Sequence, residues 1–123
     1  MRDYRFRGKR LDNGELVYGD LWQSKGRIDI VDKYSCVYPV DPETVGQYTG
    51  LKDRNGVDIY EGDLLKDDRG IGEIEWVQEH CAYLIFTRNP SLYHEIESDG
   101  VLKRSEVVGI VFENPSLMEV SNE

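Results

Sequence analysis

Alternation with period two, and not the helical period, is the dominant pattern of apolar and polar positions along this chain. Tyr4 and Phe6 alternate with Arg5 and Arg7, which predicts a half-buried strand with its rings turned to the core and its basic side chains outward. LDNG at 11–14 supplies a turn, and Asn13-Gly14 suits a two-residue hairpin loop because both residues tolerate positive φ. ELVYGDLW at 15–22 reads as the returning strand, QSKGR at 23–27 as a loop, and RIDIV as a short strand with Ile28 and Ile30 on one face. Residues 32–45 carry apolar Tyr34, Val37, Tyr38 and Val40, but Pro39 and Pro42 forbid a central strand or a helix interior. An irregular connector with edge-strand character is expected there.

The middle of the chain, QYTGLKDRNGVDIYEGDLLK from Gln47 to Lys66, is dense in glycine and charge. Asn55-Gly56 marks one turn and Glu61-Gly62-Asp63 a second, with Tyr48, Leu51, Val57, Ile59 and Tyr60 flanking them as packing residues. Leu64 and Leu65 begin a strand that ends at Asp67-Asp68-Arg69-Gly70. The glycines and charges therefore punctuate short strands and need hold no ligand. GEIEWV at 72–77 alternates with Ile74 and Trp76 inward and Glu73 and Glu75 outward, and AYLIF at 82–86 pairs with it as a hairpin. TRNPSLYHEIESDG at 87–100 is a polar excursion, with order resuming at Val101-Leu102, and VVGIVF at 107–112 is the last clear strand. ENPSLMEV then predicts a short C-terminal helix capped by Asn114, with Pro115 at its first position and Leu117 and Met118 packing down. The sum is a mainly-β chain forming a small barrel or roll. A boundary near 41–46 separates a hairpin-rich N-terminal region, 1–45, from a C-terminal barrel, 46–123.

Composition narrows the function classes. The formal net charge is -9, yet the first ten residues carry five basic side chains against Asp3. A surface this acidic repels a phosphate backbone, so nucleic acid is not the expected partner. The alternative is an accessory role in which Arg2, Arg5, Arg7, Lys9 and Arg10, interleaved with Tyr4 and Phe6, bind single strands. No apolar run reaches the roughly 18 residues of a membrane span, and no apolar core follows the basic opening, so the expected address is the cytoplasm without a membrane partner. Two cysteines, Cys36 and Cys81, sit in no paired motif and are expected as buried thiols, with a single bridge between them as the alternative.

No catalytic, metal or cofactor site is expected. Cys36, His80, Cys81 and His94 number the ligands of a structural zinc, but adjacent His80 and Cys81 in an extended chain diverge. The same divergence argues against a thiol–base pair. The acids Asp63, Asp67, Asp68, Glu73 and Glu75 read as solvated or turn residues. No phosphate-binding glycine loop occurs, and no small-molecule ligand is expected. What remains is a non-enzymatic protein that binds another protein or itself.

Three stretches resemble the YopX family of phage and prophage proteins, whose function is unknown. They are Tyr4-Arg5-Phe6-Arg7, the segment from Gln47 to Asp63 with Leu64 and Leu65 after it, and VVGIVFENPSLM from Val107 to Met118. The last carries Ile110 where the family has Asn. Open barrel edges admit homo-oligomers as one mode of binding. The resemblance implies a Src-homology-3-like roll in the C-terminal part after a β-rich N-terminal part, and a bacterial host cytoplasm. It implies no reaction and no cofactor.

Overall fold

The computed structural model describes residues 5–68, 70–88, 91–96 and 103–117. The chain forms two compact units, Met1–Tyr48 and Thr49–Glu123, built from two antiparallel sheets. Tyr4 and the expected ordered Val101-Leu102 lie outside the described residues.

In the first unit the strands β1 (Phe6–Lys9), β2 (Leu16–Ser24), β3 (Arg27–Val31) and β4 (Val37–Pro39) are joined by the start of β5 (Gly46–Lys52). Their order is β4-β3-β2-β1-β5. The stretch read as a loop at 23–27 is instead a two-residue hairpin: Ser24 pairs with Arg27 across Lys25 (φ 49°) and Gly26 (φ 78°). Two consecutive positive φ values match the right-handed strand twist. Asn13-Gly14, conversely, belongs to a four-residue loop. The Arg10 amide donates to the Glu15 carbonyl at 2.8 Å, and of the pair only Gly14 has positive φ. Asn13 Oδ1 accepts from the Glu15 amide at 2.9 Å, which holds the loop without a left-handed Asn. Gly19 is required by a close approach, because a Cβ there would lie 2.1 Å from the Val31 carbonyl oxygen.

The connector behaves as its prolines demand. β4 is short and marginal, and a single 3₁₀ turn, Pro42–Thr44, is capped by Asp41, whose Oδ1 accepts from the Glu43 amide at 3.0 Å. Of its apolar residues, Val40 is buried, Tyr38 half-buried, and Tyr34 and Val37 are exposed. The outward-arginine reading of the first strand fails at Arg7, which is only 3% exposed while Phe6 is half-buried; Arg5 is exposed as expected. Facing Tyr18 on one side and Gly46 on the other, Arg7 occupies a covered sheet face.

The second unit contains the rest of β5, then β6 (Asp58–Tyr60), β7 (Asp63–Asp67), β8 (Gly70–Val77), β9 (Ala82–Thr87), β10 (Leu92–Glu95) and β11 (Glu106–Ile110). Its five-stranded sheet runs β10-β9-β8-β7-β11. The expected barrel is not closed, because β10 and β11 form the two margins of that sheet. Ile59, Leu65, Ile74, Ile85 and Ile96 make the core, with Leu51, Tyr83 and Val107 packed against it. Each buried aliphatic side chain contributes about 1.5–3 kcal/mol. Opposed pairs place these residues on one sheet face: Leu65 faces Gly72, and Ile74 faces Ile85. The link between β8 and β9 is a 3₁₀ turn, Gln78–His80, that reverses through Cys81 at φ 48°.

The C-terminal helix is not found as an element of the described residues. Among the described residues Ser116 and Leu117 have helical backbone, and Met118 lies outside what is described. Asn114 does not cap it in the expected manner, since its Oδ1 accepts from the Ile110 amide at 3.3 Å, back along the chain. Leu117 is half-buried and would meet a Cβ on Gly109 at 3.2 Å. Among the described residues no helix is long and apolar enough to cross a membrane.

Candidate functional site

The glycine-rich middle is organised by two buried carboxylates. Asp53 Oδ1 accepts from the amides of Asn55 (2.8 Å) and Val57 (2.9 Å), and Oδ2 accepts from the Val107 amide (2.9 Å). The Asp53 amide donates to the Val57 carbonyl, and Gly56, at φ 79°, closes the turn. Burial pushes the Asp53 carboxyl up, but the three amide hydrogen bonds and neighbouring Arg54 outweigh it and hold the group below its ordinary range. At the second corner Asp63 Oδ2 accepts from the Tyr60 amide at 2.7 Å. Lys52 and Asp58 form an ion pair across the β5–β6 hairpin. Tyr60 is core and Tyr48 half-buried. These amides are taken up by the two carboxylates, which shape the chain here.

The thiols and imidazoles do not assemble. Cys36 and Cys81 are both exposed and free, which corrects the expectation of buried thiols. Each sits in a tight reversal whose geometry leaves the side chain outside. The Cys36 amide donates to Asp32 Oδ1 at 2.9 Å, and Cys81 holds the left-handed residue after the 3₁₀ turn. His80 is exposed, and His94 Nε2 lies 3.4 Å from Thr87 Oγ1. Among the described residues no three His, Cys, Asp or Glu side chains are placed to hold a metal ion.

Around β8, β9 and β10 the chemistry is denser. Glu73 stands opposite Phe86, which stands opposite Tyr93; Glu75 stands opposite Leu84, which stands opposite Glu95. Directly opposed residues share a face, so these form two cross-strand rows of carboxylates and rings. Phe86 and Tyr93 pack with centroids 5.0 Å apart, and Tyr93 Oη donates to Glu75 Oε1 at 3.2 Å. Glu73, expected to be solvated, is half-buried. Burial and the like charges of Glu75 and Glu61 raise its carboxyl to about 7, against the opposing pull of Arg88. The charge of Glu75, with burial, also pushes the Tyr93 hydroxyl up. Trp76, expected inward, is 43% exposed and meets the Tyr83 ring edge-on at 5.1 Å. Beside the β9–β10 margin lies a cavity of about 460 Å³ lined by His80, Ala82, Tyr83, Leu84, Tyr93, Glu95 and Ile96.

A second hollow, of about 510 Å³, gathers Arg54, Lys66, Lys103 and Arg104 with Asp67, Asp68 and Glu106. Arg54 pairs with Glu106 at 3.1 Å and Arg104 with Asp68 at 3.4 Å. Sequence reading missed this hollow and the cross-strand rows alike, because both depend on register.

The second unit is an open antiparallel β arrangement that carries rings and carboxylates together at one sheet margin. The particular family follows from the sequence: the YopX protein family matches residues 5–119, and the chain belongs to it. None of the curated proteins matches the chain.

Proposed function

We propose that this YopX-family chain is a non-catalytic module that binds protein, either a partner or another copy of itself, through the β8–β10 side of its second unit. The observation that carries the reading is the exposure there of Trp76, Leu92 and Tyr93, at 43%, 49% and 49%, beside Glu75 and Glu95. Large exposed rings next to polar groups are the anchors of protein interfaces. The order β10-β9-β8-β7-β11, a four-strand meander with the last strand returning beside the first, supports reading this unit as a Src-homology-3-like roll. Such rolls bind along exposed strands and loops. The phage or prophage origin and the bacterial cytoplasm belong to the same proposal.

The test combines light scattering of the purified chain with affinity capture from a bacterial lysate, using the wild type and a Trp76→Ala/Tyr93→Ala variant. Self-association or capture that the double variant loses supports the reading. A monomer that captures nothing specific ends it. The nucleic-acid alternative loses weight at its own residues: Arg7 is buried, and Arg10 is paired with Asp12 at 2.6 Å and stacked over Tyr38 at 4.7 Å.

A further inference from the structure

The cavity at the β9–β10 margin has walls of a specific chemistry. Two tyrosine rings, Tyr83 and Tyr93, and two aliphatic side chains, Leu84 and Ile96, give it apolar sides, and Glu95 and His80 also line it. Among the described residues its lining includes no lysine or arginine. Glu75, one strand pair away and hydrogen-bonded to Tyr93, adds a second carboxylate beside the ring. Aromatic faces attract a cation, aliphatic walls accept a methylene stem, and carboxylates fix the charged head. The negative surroundings are felt by the rings themselves. Burial and Glu61 push the Tyr83 hydroxyl up, and Glu75, Glu79 and Glu73 act on Tyr93 in the same direction.

We infer that this cavity receives a lysine or arginine side chain from an extended, basic segment of a protein partner. The inference rests on the proposed binding function and names the partner's chemistry. Both geometry and charge favour a long cationic side chain over an acidic or purely apolar one. The volume falls within the range of ligand pockets, so one long side chain and part of its neighbours can enter.

The chain supplies its own reporter. Trp76 stands against Tyr83, and Trp22→Phe leaves Trp76 as the single tryptophan. The probe is acetylated, amidated tetralysine, titrated at about 50 mM and about 0.5 M salt, where the Debye length shortens severalfold. Expected is a saturable change in Trp76 emission at low salt that weakens at high salt, and no change with tetraglutamate. Glu75→Gln/Glu95→Gln raises Kd about tenfold, as loss of two partly exposed ion pairs predicts. Tyr93→Ala raises it about fivefold, whereas Tyr93→Phe, which keeps the ring, has little effect. Lys66→Ala, in the other hollow, leaves Kd unchanged. Unsaturable emission, a Kd indifferent to both the glutamine pair and Tyr93→Ala, or spermidine binding as tightly as the peptide overturns the inference. If the peptide fails while the wild type self-associates through Trp76 and Tyr93, this inference falls and the binding function stands.

Discussion

Replacing Asp53 by alanine removes three hydrogen bonds at once, and the cost can be built from their surroundings. The amides of Asn55 and Val57 belong to exposed residues, so water can replace the carboxylate there, at a cost of about 1 kcal/mol each. The Val107 amide is in a half-buried strand position, and its loss is worth about 2 kcal/mol. The sum, about 4 kcal/mol, should lower Tm by roughly 10–20 °C in a chain of this size. Asp53→Asn is the informative companion. Its amide oxygen can keep the two loop bonds, but its NH₂ would face the Val107 N–H, so about half of the loss should remain. The sign of the pH dependence follows from the depressed carboxyl. Its contribution is full above the ordinary value of 3.8 and is lost as pH falls through the lower folded value. Denaturant melts followed by circular dichroism between about pH 3 and pH 6 should show wild-type stability falling at the acid end more steeply than that of Asp53→Asn. A loss below about 1 kcal/mol for Asp53→Ala, or parallel pH curves, would refute the role given to this carboxylate.

Glu73 acts with the opposite sign. Its carboxyl is raised from 4.5 to about 7, so ionisation is disfavoured in the fold, and stability should decline as pH rises across that window. Allowing for screening at a half-buried site, the decline is on the order of 1 kcal/mol, and Glu73→Gln should flatten it in melts at fixed ionic strength. Gly19→Ala should destabilise by more than about 2 kcal/mol or prevent folding, because the Val31 carbonyl occupies the space of the new methyl, as read by yield and thermal melts. Both thiols should react with a chromogenic disulfide reagent without denaturant, and Cys36→Ser/Cys81→Ser should leave Tm unchanged.

Period-two patterning located β8, where Ile74 lies where alternation puts it, whereas β7 and β9 bury adjacent residues on both faces at Leu64-Leu65 and Leu84-Ile85. Patterning assigns a face but not how far the cover over that face extends. Trp76 continues the line of Ile74 yet is 43% exposed, and Arg7 lies on a face that turns out to be covered. The turn dipeptides were legible as turns but not as types, since Asn13 and Asn55 are spared a left-handed conformation by side-chain acceptors at Asn13 and Asp53. Lys25-Gly26 carried no Asn-Gly signature although it makes a two-residue hairpin. The candidate cavity was invisible in the sequence because its walls meet only through the register of β9 and β10, which brings Leu84 opposite Glu95 and Phe86 opposite Tyr93.

The bond from Val107 to Asp53 spans 54 positions of sequence, and β11 pairs with β7 across a similar gap. During synthesis, then, the middle of the chain is finished long before the amide that completes its carboxylate has been made. A nascent chain halted before that residue carries a charged group with one oxygen still answered only by water. The second unit should therefore mature late, and prematurely terminated products should be ready substrates for cellular proteases.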